Sequence, residues 1–275
     1  MYKWETLPEN LKRGNTMGEP KVQYSKEGFI GTITLCDASG FNLMDKEVVM
    51  SIADIQEEIS KDNLVRAVIL KSGGSHFSAG VDLAFLKSVD PRFIKDNLTF
   101  LQRTFSRFQE FPAPVICAIN GLCYGGGLEL ALSCDIRIAA EGARLALPEV
   151  RFGLTADQTG TTRLTKLVGI GQAKKLILCT EEVDAQEAYR IGLVEYLVKP
   201  EELEGKAVQL AKRISNLPPA AVRFGKWGVN VAAEGNTFAG LMFEQAQSMY
   251  CFSTEDKKEA VEAFIEKRKP VFQDK

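Results

Sequence analysis

Histidine is nearly missing from this chain: 275 residues contain one, His76. Zinc and non-haem iron sites need two or more imidazoles or a thiolate cluster, so a lone imidazole excludes most of them and no metal is expected. The six cysteines, at 36, 117, 123, 134, 179 and 251, form no C-x-x-C pair and no framework of short spacings. In a chain of this length that pattern points to reduced thiols and a cytoplasmic protein rather than a disulfide scaffold. A basic surplus is lacking as well, with 34 Lys+Arg against 36 Asp+Glu and a net charge of −2. Nucleic-acid binders carry a basic excess or stripe, so no nucleic-acid partner is expected. The opening MYKWETLPENLKRG has no apolar core of the signal-peptide kind. Ala113 to Cys134 carries only Asn120 and Glu129 as strongly polar residues, yet Gly121 and Gly125-Gly126-Gly127 interrupt it and interfacial anchors are missing. It reads as a buried strand, a loop and a buried helix, and no membrane partner is expected.

What is present is ordinary globular usage, 45% hydrophobic and 25% charged, with ample length for a core. Residues 1–21 are polar, with Gly14, Gly18 and Pro20, and read as a loose arm. Phe29–Leu35, Val65–Lys71, Val115–Ile119, Asp135–Ala139 and Arg144–Ala146 read as strands, and Leu193–Val198 as a short one. Asp45–Lys61 shows a helical stripe of Val48, Val49, Ile52, Ile55 and Ile59, and Pro91–Glu110 a second, stopped by Pro112 and Pro114. Asp184 and Glu187 form a capping-box arrangement, and helices dominate from about Thr159. This alternation predicts an α/β core over 22–200 and a helical subdomain over 201–275. No repeat at a fixed period is visible.

Three places offer chemistry. Gly121-Leu-Cys-Tyr-Gly125-Gly126-Gly127 leaves a strand and enters a helix, where exposed N–H groups bind developing negative charge; the plainer reading is a tight joint. It matches neither G-x-G-x-x-G nor a phosphate-binding P-loop. Glu129 lies one turn into an otherwise apolar helix, so its carboxylate is either paired or desolvated with a raised pKa. A salt-bridged structural Glu is the common outcome, but the adjacent glycine loop shifts the balance toward catalysis. His76 and Ser78 stand on an extended loop where their side chains diverge, and no G-x-S-x-G elbow exists, which argues against serine hydrolysis. Ser78-Ala79-Gly80 offers exposed amides instead. Pro148-Glu149 and Gly153-Leu-Thr-Ala-Asp157 add two loop acids of the kind that is usually solvated and inert.

The strings HFSAGVDL, NGLCYGGGLELALSCDIRIA, LPEVRFGL and TTRLTKLVGIGQAKKLILC, in this order and spacing, resemble the enoyl-CoA hydratase/isomerase (crotonase) family from about Gln23 to the C-terminal AFIEKRKPVF. The resemblance implies a spiral of ββα units with a helical C-terminal trimerisation region, hence a homotrimer or dimer of trimers, and acyl-CoA thioesters as substrates. It also implies an oxyanion hole of two backbone N–H groups, on Ala79 and Gly126, that holds the thioester oxygen as it becomes an enolate. Two glutamates, Glu129 and Glu149, would hold the water that adds to C3 of a 2-enoyl-CoA while Glu149 supplies a proton to C2. Where typical members read G-x-x-P-G-x-G-G-T, this chain has Ala156, Asp157 and Thr159. Asp157, eight residues after Glu149, resembles the second acid of Δ3,5-Δ2,4-dienoyl-CoA isomerases, although those carry an aspartate at the Glu129 position.

Hydration of an unsaturated acyl-CoA is therefore the leading expectation, with dienoyl isomerisation through Glu149 and Asp157 as the alternative. A catalytically dead binding protein is the reading from another class, and intact Glu129 and Glu149 count against it. A serine protease on the same spiral lacks a Ser/His/Asp arrangement. No cofactor is implied beyond the coenzyme A of the substrate. The expected contacts to it are the loop Ser78, Gly80, Val81, Asp82 and Leu83, with Leu122, Gly125, Pro148 and Leu154, and Lys267 reaching a phosphate from a neighbouring subunit. Phe41, Leu43 and the region 93–101 are expected to shape the acyl pocket.

Overall fold

The computed structural model describes residues 20–275; the expected arm, except its last two residues, lies outside them. The chain opens with β1 (Val22–Glu27) and β2 (Ile30–Leu35), then α1 (Lys46–Lys61), β3 (Ala67–Ser72), α2 (Leu83–Ser88) and α3 (Pro91–Glu110). Next come β4 (Val115–Ile119), β5 (Leu122–Tyr124), α4 (Gly126–Leu132), β6 (Ile136–Ala140) and β7 (Arg144–Ala146). A 3-10 turn (Glu149–Phe152) leads to α5 (Gly160–Leu178), β8 (Val183–Asp184), α6 (Ala185–Arg190) and β9 (Tyr196–Val198). The chain closes with α7 (Leu203–Ser215), α8 (Pro219–Glu234), α9 (Thr237–Phe252) and α10 (Glu255–Glu266).

The main sheet has the order β1-β2-β3-β4-β6-β9, antiparallel only between β1 and β2. A small second sheet, β5-β7-β8, lies beside it. Alternation along the strands divides the core. Val68, Leu70, Val115, Cys117 and Ile119 face α1, α3, α4 and α5. Ala67, Ile69, Ile116, Ala118 and Ile138 face Ala207, Leu210 and Ala211 of α7. A parallel strand buried on both faces has no polar side, which is why these segments read as continuous apolar runs.

Three expectations shift here. The strand β1 is polar on its outer positions, so it shows no apolar run. The loop after Gly80 holds a short helix, α2, started by Asp82, which accepts from the Phe85 N–H at 2.8 Å. The helices after residue 200 do not all stand apart: α7 is one layer of the core. No helix among the described residues is long and apolar enough to cross a membrane.

The remaining helices are tied back by a buried cation. Lys226 of α8, only 4% exposed, donates to Phe108 O at 2.7 Å and Ala113 O at 3.1 Å and pairs with Asp135 at 2.8 Å. Trp227 and Asn230 donate to Glu110 O and Gln109 O, so α8 satisfies carbonyls at the end of α3 that have no partner within the helix. Burial pulls the Lys226 amine down and the Asp135 carboxyl up, and their mutual attraction opposes both shifts. Lys226→Met leaves Asp135 buried with only the Val115 N–H at 2.7 Å and the charge of Arg137 to offset it, and is expected to lower unfolding free energy by about 3 kcal/mol. Urea unfolding midpoints test this, and an unchanged midpoint would show that the pair is dispensable.

Candidate active site

The parallel strands β3 and β4 end on the same side, and the loops leaving them meet backbone to backbone. A methyl group on Gly127 would sit 2.5 Å from Ser78 Cβ, one on Gly80 2.9 Å from Tyr124 O, and one on Gly121 2.3 Å from Ser75 O. Gly80 and Gly121 also have φ of 96° and 53°, a region L side chains rarely occupy. Asn42 ties the mouth of the site together by donating to Ser72 Oγ and to the carbonyls of His76 and Phe77.

This packing decides which amides are free. The Ala79 N–H donates to Phe41 O at 2.8 Å, so the expected donor is already spent. Met44 N donates to Gly80 O and Asp82 N to Met44 O, which turns the Val81 N–H the other way; it has no acceptor among the described residues. Val81 lies against Gly126, whose added methyl would be 3.3 Å from Val81 Cγ2. Gly126 begins α4 and its N–H also has no acceptor among the described residues. The pair available for an oxyanion is therefore Val81 and Gly126, and Ala79 is corrected to a structural amide.

Glu129 lies in the first turn of α4 and is 2% exposed. Its Oε1 accepts the Gly160 N–H at 2.8 Å. A methyl on Gly160 would stand 2.7 Å from that same oxygen, so only glycine permits this bond. Burial, aided by the charges of Glu149 and Asp157, pushes the carboxyl to about 8 against the pull of the Gly160 and Gln158 N–H groups. Glu149, at the start of the 3-10 turn, has both carboxylate oxygens buried without a partner among the described residues. Its Oε1 is 3.0 Å from where a Gly125 methyl would be, which places it over the glycine loop. Burial raises its pKa, and Asp157 adds to the rise. Asp157 is half-buried with its own carboxyl raised by burial, and its carbonyl accepts from Gln102 of α3 at 2.7 Å. No three His, Cys, Asp or Glu among the described residues are arranged to hold a metal ion.

The other expected contacts divide. Phe41 (45% exposed) stacks on His76 at 5.0 Å, Leu83 is 60% exposed and Leu154 42%, all open to a ligand. Leu43 and Pro148 are half-buried, and Leu122 donates to His76 Nδ1. Ser78 is fully buried: its hydroxyl donates to Asn42 O and accepts from Gly80 N, so it builds the loop and is not a coenzyme contact. Asp82 is engaged as the cap of α2. Lys267 caps α10, and the tail beyond it meets Arg66, which donates to Phe272 O at the start of β3, the end opposite the site. Sequence reasoning missed Val81 N, Gln102, Gly160 and Arg163. Only Gly160, a glycine at a helix start, carried a local signal.

Comparison with known proteins fits this geometry. The family model Enoyl-CoA hydratase/isomerase matches residues 25–275. The chain belongs to the enoyl-CoA hydratase/isomerase family. It is 39% identical to the short-chain-enoyl-CoA hydratase of Clostridium acetobutylicum, over 90% of this chain and 95% of that one. It is 35% identical to the crotonyl-CoA hydratase of Syntrophomonas wolfei, covering 93% and 99%. The crystal structure of an enoyl-CoA hydratase from Bacillus anthracis superposes with a TM-score of 0.89 at 33% identity, covering 93% of this chain and all of that one. The crotonase fold, and an enzyme of the hydratase/isomerase type, follow.

A carboxyl held near 8 in the fold and at the ordinary 4.5 when unfolded favours the protonated folded state. Its stabilisation is full below about 4.5 and is lost as pH rises through 8. Thermal unfolding from pH 5 to 9 is expected to show this decline in the wild type and a flatter profile in Glu129→Gln. Parallel profiles would remove Glu129 as the titrating group.

Proposed function

We propose that the protein adds water across the double bond of a trans-2-enoyl-CoA. The observation that carries this reading is a pair of unspent backbone N–H groups, Val81 and Gly126, beside two buried carboxyls with raised pKa values. The names of its relatives support the same substrate class.

The thioester oxygen would accept from both amides, with the start of α4 adding its dipole. Water is held between Glu129 and Glu149. Glu129 acts in its ionised form, the minority species at pH 7 for a carboxyl pushed to about 8, with the shared proton on Glu149. It takes a proton as the water oxygen bonds to C3. The π electrons move through C2 to the thioester oxygen, and the enolate collapses as Glu149 delivers a proton to C2. Two like charges in one desolvated site resist joint ionisation, which keeps a proton available. Coenzyme A would run past Phe41, Leu83 and the Gly80-Val81 backbone.

Asp157 favours a second reading. A third acid, half-buried and electrostatically coupled to both glutamates, would suit proton transfer at the far end of a 3,5-dienoyl-CoA. Product mass separates the two readings. Incubation with a trans-2-enoyl-CoA is expected to add one water, and Glu149→Gln to reduce this by about 10²–10⁴-fold. Conversion of a 3,5-dienoyl-CoA without mass change, and no hydration, would make Glu149 and Asp157 an isomerase pair instead.

The assembly we infer is a homotrimer or dimer of trimers. Val229, Phe238, Met249, Phe252, Phe264 and Ile265 on α8–α10 are each at least 70% exposed, more apolar surface than a monomer usually leaves in water. Lys267 would reach the coenzyme A phosphate only across such an interface. Light scattering on the eluted protein is expected to give a multiple of three chains, and a monomer would remove both assignments.

A further inference from the structure

Arg163, in the first turn of α5, is a partly buried cation with no ion-pair partner among the described residues. Its Nη2 donates to Gln109 Oε1 at 2.7 Å and Ser106 Oγ at 3.3 Å, both on α3, and its Nη1 donates to Thr159 Oγ1. Its Nε is buried with no acceptor among the described residues. Burial lowers its pKa, while Cys134, Glu234 and Glu129 oppose that shift. Burying the guanidinium Nε without an acceptor, and desolvating part of the cation, carries a cost that a bare packing role explains poorly.

What it grips is unusual. Thr159 has a φ of 90°, a strained value for a β-branched residue. The next residue is Gly160, whose N–H holds Glu129 at 2.8 Å. A neutral side chain could pack beside α3, but it could not both fork between Ser106 and Gln109 and bond the Thr159 hydroxyl.

We propose that Arg163 is a positioning residue: clamped to Ser106 and Gln109, it holds Thr159 in its left-handed conformation and aims the Gly160 N–H at Glu129. The inference rests on the reading of Glu129 as a working acid. It also ties the site to the C-terminal helices. Gln109 gives its side chain to Arg163 and its carbonyl to Asn230 of α8 at 3.2 Å, and Lys166 of α5 pairs with Glu234 of α8 at 2.5 Å.

The groups facing Glu129 are Glu149 and Asp157, which raise its pKa, and the Gly160 and Gln158 N–H groups, which lower it. Loss of the clamp should therefore move its titration upward. The test uses Arg163→Lys, Arg163→Met and Gln109→Leu in the full chain. Steady-state hydration of a short trans-2-enoyl-CoA is read alongside an infrared titration of the buried carboxyl band, identified by its loss in Glu129→Gln. In Arg163→Met, kcat is expected to fall about tenfold to a hundredfold, because small misplacement of a catalytic group is costly. KM should change by less than about threefold, since the substrate contacts are untouched. The infrared midpoint should rise, with Arg163→Lys intermediate and Gln109→Leu shifted the same way by less. An unchanged midpoint, or kcat and KM worsening together without a midpoint shift, overturns the proposal. Should Arg163→Met fail to fold, Gln109→Leu decides alone by the same criteria. If the wild type hydrates nothing, the hydratase reading fails while the infrared midpoints still judge the clamp.

Discussion

Everything in this site depends on two loops touching through bare backbone. The segment leaving β3 and the glycine-bearing segments on either side of β5 come so close that Cβ atoms at 80, 121 or 127 would collide with main-chain atoms or with Ser78. The contact directs the carbonyl of Gly80 and the amide of Ala79 into hydrogen bonds with the Phe41–Met44 segment. The next amide, Val81, is left facing the start of α4. Gly126 enters the same space because α4 cannot satisfy its own first N–H groups. The positive side of the site is thus a by-product of chain path and helix geometry.

The negative side is built the opposite way, by confining side-chain charge. Glu129 is tolerated at 2% exposure because two backbone N–H groups and a helix start lie against it, yet burial and two neighbouring acids still push it to about 8. Glu149 has no partner on either oxygen among the described residues, an arrangement that is poor for stability and suited to proton transfer. The free donors beside these acids are neutral amides, which do not quench the carboxyls as a lysine or arginine would. The Arg163 guanidinium is turned toward α3 and Thr159, and that of Arg151, in the turn of Glu149, toward Thr180.

The core strands were legible because strands buried on both faces read as apolar runs, and α1 and α3 because their stripes are long. Glu129 stood out as the one acid in an apolar helix. The failures have a common cause. β1 is an edge strand with a wet face, and α2 is too short to show a stripe. The choice between Ala79 and Val81 depends on which way each peptide plane faces, and residue identity does not encode that. Ser78 has the chemistry of a ligand contact, and only its buried partners reveal it as scaffold. The Arg163 clamp joins residues 54 and 57 positions apart, a separation that no local pattern spans.

The Val81 and Gly126 amides have a consequence for how this site can change. A backbone N–H belongs to every residue except proline, so a point substitution rarely deletes the electrophilic half of the machinery. The acids enjoy no such protection, since one codon change removes or relocates a carboxyl. Substitution in this site would therefore change its acids sooner than its backbone donors, and Asp157, an acid where typical family members carry glycine, already differs in the acid half.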